Sequence, residues 1–328
     1  MDQALVLISM GFVLDFIIGD PQYPFHPVRL IGHGIARLEG FLRARGLDGR
    51  GGGALLAGTM FLISLLAYLL LDGVFRLVHP WAGFLFNLYL CTSLLALGDL
   101  LGQVGGVEKA LAAGDLDTGR KRLAMLVGRE LRDLDEEGLN RAAVETTAEN
   151  FVDGLFSPLF WFFCGMGLSL LPGLAGVRIP MILLLAFKVA STLDSMVGYR
   201  NAAYRDFGQA GARSDDVMNF VPARISLFFL FLGALFLGLR SLQGVKIALR
   251  DRLKHDSPNA AHAESFVAGA LGIRLGGPTR YPEGLKDKPW LGDGDVRVQV
   301  GHIRQTALLV RLSAWISLVT GLALFIAI

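Results

Sequence analysis

The sequence is poor in charge. Only 18% of its 328 residues are Asp, Glu, Lys or Arg, against about a quarter in ordinary soluble domains. The charges are also unevenly distributed, and residues 54–71, 81–98 and 312–328 carry none. Uncharged stretches of this length match the roughly 20 apolar residues that a helix needs to cross a bilayer. This composition excludes an ordinary soluble protein.

Cysteine and the common nucleotide motifs are also scarce or missing. Cys91 and Cys164 are far apart, each inside an apolar stretch, so the sequence predicts neither a disulfide framework nor a cysteine metal site. There is no GxxxxGK[S/T] motif and no GxGxxG motif after a predicted strand, which excludes the two commonest phosphate-binding loops. The net charge of +2 gives no electrostatic reason to expect nucleic acid as a partner.

What the sequence contains instead is a series of apolar windows. They lie at 4–18, 54–71, 81–101, 155–171, 179–197, 223–239 and 306–328. The first window lacks the basic start and the small-residue cleavage site of a signal peptide, so we read it as a retained helix. The set predicts an all-α fold, a polytopic membrane helix bundle of about six to eight membrane segments. We expect one integral membrane domain over 1–328, with the lipid bilayer as a partner.

Polar segments alternate with these windows. They lie at 19–53, 102–150, 198–222 and 240–305, and all four are rich in Lys and Arg. The positive-inside rule places them in the cytoplasm, yet seven full crossings would put 198–222 and 240–305 on opposite sides. One window therefore does not cross, or a further segment is hidden; we expect the exception at 179–197, which contains Lys188 and Asp194. Beyond its basic start, segment 240–305 is predicted to be loop-like.

Three acids follow one face of the helix predicted before the fourth window. Glu145, Glu149 and Asp153 are spaced i, i+4 and i+8, within about 80° of one another around the helix. Carboxylates this close repel unless a cation lies among them, and oxygen ligands suit Mg²⁺ held together with substrate phosphates. The alternative is an exposed face on which Arg141 pairs with Glu145. Because Asp153 already enters an apolar window, we favour the functional interpretation.

Lys188 lies deep inside the window 179–197. If the helix starts near Pro180, Lys188 is roughly 12 Å along its axis. Its face continues with three hydroxyl side chains, Ser191, Thr192 and Ser195. A cation buried in the membrane indicates a functional site by default. The alternative is an architectural pair with a bundle carboxylate such as Asp15.

Segment 198–222 carries a second set of candidate metal ligands. Asp215, Asp216 and Asn219 share one helical arc, and their oxygens suit a second Mg²⁺. The alternative is equally good, because Ser214 is a candidate N-cap and acids in a first turn stabilise a helix N-terminus.

A glycine-rich turn lies in the last polar segment. Gly276 and Gly277 precede a proline and are flanked by Arg274 and Arg280. Such a turn can form a backbone nest for an anion, although ordinary turn chemistry explains it equally well.

Taken in order, these stretches resemble the CobD/CbiB family of cobalamin biosynthesis, the adenosylcobinamide-phosphate synthases. The resemblance covers about residues 11–293. It rests on Asp15, Gly19-Asp20-Pro21, His26-Pro27-Val28, Val144-Glu145, Ala148-Glu149-Asn150, Asp153-Gly154, Ser157-Pro158-Leu159-Phe160-Trp161, Thr192-Leu193-Asp194-Ser195, Gly198-Tyr199, Asp215-Asp216, Asn219, Pro222-Ala223-Arg224, Ser257-Pro258-Asn259-Ala260, Glu264 and Leu275-Gly276-Gly277-Pro278. The chain departs from the family pattern at Ser191, Ala261 and Ala263.

The resemblance implies an enzyme, an ATP-dependent ligase. It would join aminopropanol or its phosphate to adenosylcobyric acid, giving adenosylcobinamide or its phosphate, with Mg²⁺ as cofactor and ATP as co-substrate. We expect catalytic roles for Glu145, Glu149, Asp153, Lys188 and Asp194. We expect Mg²⁺ ligation by Glu149, Asp153, Asp215, Asp216 and Asn219. We expect substrate or ATP contacts from Asp20, His26, Asn150, Tyr199, Arg224, Ser257, Asn259, Glu264, Arg274, Gly276 and Gly277.

Two other classes of function remain as alternatives. One is a non-catalytic membrane sensor on the same scaffold, and the other is a transporter in which Lys188 and Asp15 line a permeation path. A sensor does not need all the acids together, and a transporter is expected to show paired broken helices in two halves. We expect a multi-pass protein of the inner, cytoplasmic membrane with its active site on the cytoplasmic face. A homo-oligomer is compatible with the sequence.

Overall fold

A computed structural model describes residues 2–21, 23–128, 130–173, 178–199, 201–281, 284–295 and 297–327. The helices are α1 Asp2–Ile18, α2 Pro27–Arg43, α3 Arg50–Val78, α4 Pro80–Leu94, α5 Leu97–Ala112, α6 Leu116–Leu123, α7 Glu136–Asn150, α8 Ser157–Leu168, α9 Arg178–Val197, α10 Gln209–Phe236, α11 Ser241–Asp251, α12 Ala260–Leu271 and α13 Val300–Ile326. A π-helix, Phe151–Phe156, joins α7 to α8. The all-α prediction is confirmed.

Six spans in the described residues are long and apolar enough to cross a membrane. They are α3, α4 with α5 over 80–112, α7 with α8 over 136–168, α9, α10 and α13. The window expected to fall short, 179–197, is among them, since α9 has 20 residues. The window outside this set is the first, because α1 has 17 residues, fewer than the roughly 20 that cross a bilayer. The expectation of six to eight membrane segments is confirmed, and the chain is a multi-pass membrane protein.

The surface of α3 shows why so many apolar side chains tolerate exposure. Leu62, Ile63, Leu66 and Leu70 are each more than half exposed, on a helix whose sequence is apolar nearly all round. A helix of this kind is stable when lipid covers the faces that protein does not. The exposed apolar side chains of α3 are therefore those of a membrane-spanning helix.

A buried carboxylate ties together three elements at one end of α3. Asp72 is fully buried and accepts hydrogen bonds from Arg76 at 2.8 Å, from Arg178 at 2.7 Å and from Asn87 at 2.7 Å. A buried charge is tolerated when it is paired and hydrogen-bonded in this way. Arg76 of α3 and Arg178 of α9 therefore share one structural carboxylate.

The chain divides into two compact units. The first contains Met1–Ala96 and Ser157–Met218, and the second contains Leu97–Phe156 and Asn219–Ile328. Buried side chains at the centre of the first unit include Phe12, Ile35 and Phe187, and those of the second include Phe151, Phe266 and Leu309. The prediction of a single domain stays a prediction.

Segment 240–305 differs from its predicted loop-like form. It contains the buried helix α12 and four short strands, β1 Leu275–Gly276, β2 Thr279–Tyr281, β3 Gly284–Lys286 and β4 Trp290–Leu291. β1 pairs with β4 and β2 with β3, both antiparallel. α12 was missed because it is buried on nearly every face, so its sequence lacks the alternation of apolar and polar residues that marks a surface helix.

Candidate functional site

The acid face of α7 continues into the π-helix. Asp135 caps α7 by accepting the backbone N–H of Gly138 at 2.8 Å, and Asp153 lies inside the π-helix. A π-turn winds less per residue than an α-turn, so Asp153 stays on the face of Glu149. Both carboxylates are half-buried. Single π-turns of this kind are found frequently at functional sites.

Proline explains why the helix changes its winding here. Pro158 has no backbone N–H, so the carbonyl of Gly154 cannot receive the hydrogen bond that an α-helix would supply. The chain adopts the wider π-turn just before this proline. Sequence reasoning missed the π-helix, although a proline four residues after Gly154 in an otherwise helical stretch was a usable signal.

Glu145 binds the glycine turn of the last polar segment. Its Oε1 accepts the backbone N–H of Gly276 at 2.6 Å, while Gly277 N–H donates to the Pro289 carbonyl at 3.4 Å. Gly276 and Gly277 have φ values of +77° and +78°, which glycine adopts without strain. The anion that occupies this turn is the carboxylate of Glu145.

Arg141, the partner expected for Glu145 on an exposed helix face, forms its ion pair with a different acid. Arg141 pairs with Glu137 at 2.8 Å, so the interpretation of an exposed face with an Arg141–Glu145 pair is wrong. Glu145 is 7% exposed. At the end of the same helix, the side-chain amide of Asn150 donates to the backbone carbonyl and to the hydroxyl of Thr146, both at 2.9 Å.

Lys188 lies at the centre of α9 and is 9% exposed. α9 begins at Arg178, so Lys188 is about 15 Å along the axis, deeper than expected. The Thr192 hydroxyl donates to the Lys188 carbonyl at 2.7 Å. Asp194 lies one turn before the helix end, where Gly198 N–H donates to its carbonyl at 2.8 Å, and Tyr199 is half exposed.

The acids of segment 198–222 lie well inside a helix. α10 begins at Gln209 and has no acid in its first turn. Ser214 donates its hydroxyl to the Ala210 carbonyl at 2.8 Å, so the interpretation of Ser214 as an N-cap is wrong. Asp215 and Asn219 are buried and Asp216 is half-buried. Capping does not explain these acids.

Asp20 and His26 form a pair in the first unit. His26 Nε2 lies 2.7 Å from Asp20 Oδ1, and the histidine is 2% exposed. Its Nδ1 is buried without a hydrogen-bond partner among the described residues. The ring of Tyr23 packs edge-on against His26 at a centroid distance of 5.3 Å. His26 thus pairs with Asp20 through one ring nitrogen and has no partner among the described residues at the other.

Arg224 and Asn259 meet in the second unit. Arg224 Nη1 lies 3.4 Å from Asn259 Oδ1, and its guanidinium stacks over the Phe220 ring at 3.5 Å. Ser257 Oγ accepts the backbone N–H of Asn259 at 3.3 Å. Two more of the predicted residues lie in this unit. Glu264 is 6% exposed, and Arg274, two residues before Gly276, has a buried Nε without a partner in the described part of the chain.

Sequence reasoning missed His262. It is fully buried on α12, between Asn259 and Glu264, in a stretch otherwise made of alanine. Burial, followed by the nearby Arg224 guanidinium, lowers the pKa of His262 to about 4. It is therefore neutral at physiological pH. A polar side chain within a run of alanines was the available signal.

The described residues include no group of three or more His, Cys, Asp or Glu side chains that could hold a metal ion unaided. Mg²⁺ does not need such a group, because it is commonly held by one or two carboxylates together with substrate phosphates and water. Glu149 and Asp153, which share a half-buried face, fit this donor set. Asp215 and Asp216 belong to the other unit.

Comparisons with known proteins give one consistent match. The family model described as CobD/Cbib protein matches residues 8–310. The chain is 40% identical to the cobalamin biosynthesis protein CobD of Citrobacter koseri over 97% of this chain and 95% of the relative. It is 42% identical to CobD of Pelobacter propionicus over 88% and 84%, and 39% identical to CbiB of Salmonella typhimurium over 97% and 95%. No solved structure matches the chain.

Proposed function

The chain belongs to the CobD/CbiB family of cobalamin biosynthesis proteins, and from this we propose that it is an ATP-dependent ligase. It joins aminopropanol, or its phosphate, to adenosylcobyric acid through an amide bond. The observation that carries the proposal is the half-buried acid face of Glu149 and Asp153, extended by a π-turn. The test is formation of the amide product by the purified protein.

Amide formation needs an activated carboxylate. The γ-phosphoryl group of ATP transfers to a carboxylate oxygen of adenosylcobyric acid and ADP leaves. The amine then attacks the acyl carbon, phosphate departs, and the amine loses a proton. Such transfer depends mainly on positioning and on neutralising charge.

The residues divide between these two tasks. Glu149 and Asp153 would hold Mg²⁺, which neutralises phosphate charge when bound. Lys188, Arg224 and Arg274 supply the cations for phosphate or carboxylate groups. Glu145 acts indirectly in this scheme, because its carboxylate positions the Gly276 turn.

In the first unit, an exposed ion pair supports a shared side for two of the polar segments. Arg50 pairs with Asp206 at 2.8 Å, with side chains 70% and 56% exposed. Partners exposed to water lie on one side of a membrane, which favours a shared side for segments 19–53 and 198–222. Four candidate spans separate these residues, an even number, so all four are compatible with full crossings.

In the second unit, the number of candidate spans between two segments that share a side is odd. Arg280 pairs with Asp133, both more than half exposed, and Glu130 N–H donates to the Arg280 carbonyl at 3.2 Å. These contacts favour one side for segments 102–150 and 240–305. Three candidate spans separate them, an odd number, so one of the three does not cross fully.

If one candidate span does not cross the membrane fully, only α10 leaves an even number of crossings in both units. Removing α9, or α7 with α8, would leave an odd number of crossings between Arg50 and Asp206. Arg224 leaves only 12 uncharged residues after it in α10, 225–236, about 18 Å at about 1.5 Å per residue. A full crossing of the hydrocarbon core of about 30 Å would therefore take Arg224 into the membrane. We place all four Lys- and Arg-rich segments in the cytoplasm, where ATP is available, with α10 entering the membrane without crossing.

Cysteine labelling tests this topology. Ala202→Cys and Leu253→Cys, each in a variant with both native cysteines replaced by alanine, are expected to react with an impermeant maleimide only from the cytoplasmic side. Leu77→Cys, at the exposed end of α3, is the control and is expected to react only from the opposite side. Labelling of Leu253→Cys from the same side as Leu77→Cys would show that α10 crosses.

A further inference from the structure

Two arginines of the second unit have no carboxylate partner among the described residues. Arg224 is on α10, and Arg252 follows α11 as its C-cap; both are half-buried. After burial, the charges of both arginines contribute to the lowered pKa of His262. In the part of the chain that the structure describes, Arg224 contacts Phe220 and Asn259, Arg252 contacts the Leu249 carbonyl, and neither forms an ion pair.

The neighbouring cations are neutralised. Arg250 and Lys254 both pair with Asp251 at 2.7 Å, and Arg250 also pairs with Asp293 at 2.5 Å. Although burial alone would raise the pKa of Asp251, the hydrogen bonds from Arg250, Gly292 N–H and Lys254 hold it well below its usual range. Asp251 is therefore ionised, and its carboxylate oxygens bond to Arg250, Lys254 and Gly292. It does not pair with Arg252.

His262 supplies the third group. Its Nδ1 lies 3.2 Å from the Asn259 carbonyl oxygen, and because a carbonyl only accepts, Nδ1 carries the hydrogen. Nε2 then presents a lone pair, is buried, and has no hydrogen-bond partner among the described residues. An unpaired buried polar atom of this kind costs free energy. Glu264 is two residues away on α12, and side chains at this spacing do not face each other.

We propose that Arg224, Arg252 and His262 form a binding site for a phosphate group. Two half-buried guanidinium groups repel each other unless an anion lies between them, and guanidinium binds phosphate oxygens in a bidentate manner. Nε2 of His262 accepts a hydrogen bond from a protonated phosphate oxygen or from an N–H or O–H of the same ligand. Arg252 and His262 are new assignments, whereas Arg224 was expected from sequence.

Two ligands of the proposed reaction carry this chemistry. One is the polyphosphate of ATP and the other is the phosphate of aminopropanol phosphate. The assignment of a phosphate rests on the charges of the two arginines and on the buried, unpaired Nε2 of His262, whereas the choice between the two ligands rests on the proposed function. The two sources are distinguished by measuring them separately.

The test is ligand binding to the purified full-length protein, without turnover. Titration calorimetry is carried out with ATP, with aminopropanol phosphate and with unphosphorylated aminopropanol. Arg252→Gln is expected to weaken binding of one phosphorylated ligand at least tenfold and to leave aminopropanol unaffected, and Arg252→Lys is expected to recover part of the loss. Lys246→Gln removes an equal charge from an exposed position on α11 and is the matched control, expected to bind as wild type does.

The thermal stability of Arg252→Gln distinguishes a phosphate-binding role of Arg252 from a structural one. Relief of repulsion between the two arginines predicts an unchanged or higher Tm for Arg252→Gln, whereas a structural role predicts a lower one. Unchanged binding of both phosphorylated ligands by Arg252→Gln, or no binding of either by wild type, overturns the proposal. A protein that binds phosphate through Arg252 but forms no amide keeps the site and refutes the proposed reaction instead.

Discussion

Glu149→Gln and Asp153→Asn are each expected to lower kcat at least about 100-fold, the loss of about 2.7 kcal/mol of transition-state stabilisation. Both changes keep the shape of the side chain and remove its charge. The two carboxylates lie on one half-buried face that the π-turn extends, where each would neutralise phosphate charge through Mg²⁺. Steady-state kinetics over a range of Mg²⁺ concentrations measures the effect, and we expect the residual activity to require more Mg²⁺.

Glu137→Gln is the matched control for this pair. Glu137 is on the same helix but pairs with Arg141, so its loss is expected to change the rate by less than about twofold, in line with the small value of partly exposed ion pairs. Membrane insertion and Tm of both test variants are expected to match wild type. Wild-type rates and wild-type Mg²⁺ dependence in both would exclude these residues as metal ligands.

Lys188→Met is expected to lower activity at least about tenfold, which corresponds to one charge contact of about 1.4 kcal/mol. Methionine roughly preserves the length and the apolar volume of the side chain, so the packing of α9 is expected to survive. A cation at the centre of a membrane helix is costly and persists for a function or for an ion pair. Activity and Tm of the purified variant are measured together.

Lys109→Met, which removes an exposed ammonium from α5, is the control for a change in overall charge. It is expected to be fully active. If Lys188→Met is as active as wild type, the lysine takes no part in catalysis. If it fails to fold, Lys188 belongs to the architecture of the first unit.

The membrane class was predictable because it follows from composition. Long uncharged windows have few alternatives to membrane helices, and each of the six spans overlaps a predicted window. The acid stripe was also predictable, because helical spacing places Glu145 and Glu149 on one face. The hydrogen-bond partner of Glu145 was not predictable. Glu145 bonds to Gly276, 131 residues away, and no local pattern encodes a contact at that separation.

Other differences have equally specific causes. Ser214 and the two acids after it have the pattern of a helix start, but α10 begins earlier, at Gln209, so tertiary packing overrides the capping preference. The role of Asp251 as a shared counter-ion was also hidden, because it depends on Arg250, Lys254 and the distant Gly292 meeting in space. Residue patterns thus indicated several site residues, while their partners required the structure.

The central claim is tested most directly by reconstituting the reaction. Purified protein in detergent is incubated with ATP, Mg²⁺, adenosylcobyric acid and either aminopropanol or aminopropanol phosphate, and the corrinoid products are measured by mass spectrometry. We predict a product whose mass equals the sum of the two substrates less one water, formed in step with ATP cleavage and absent without ATP or Mg²⁺. Protein that binds these substrates and is correctly folded, yet forms no amide with either amine, would contradict the account and favour a sensor or a transporter.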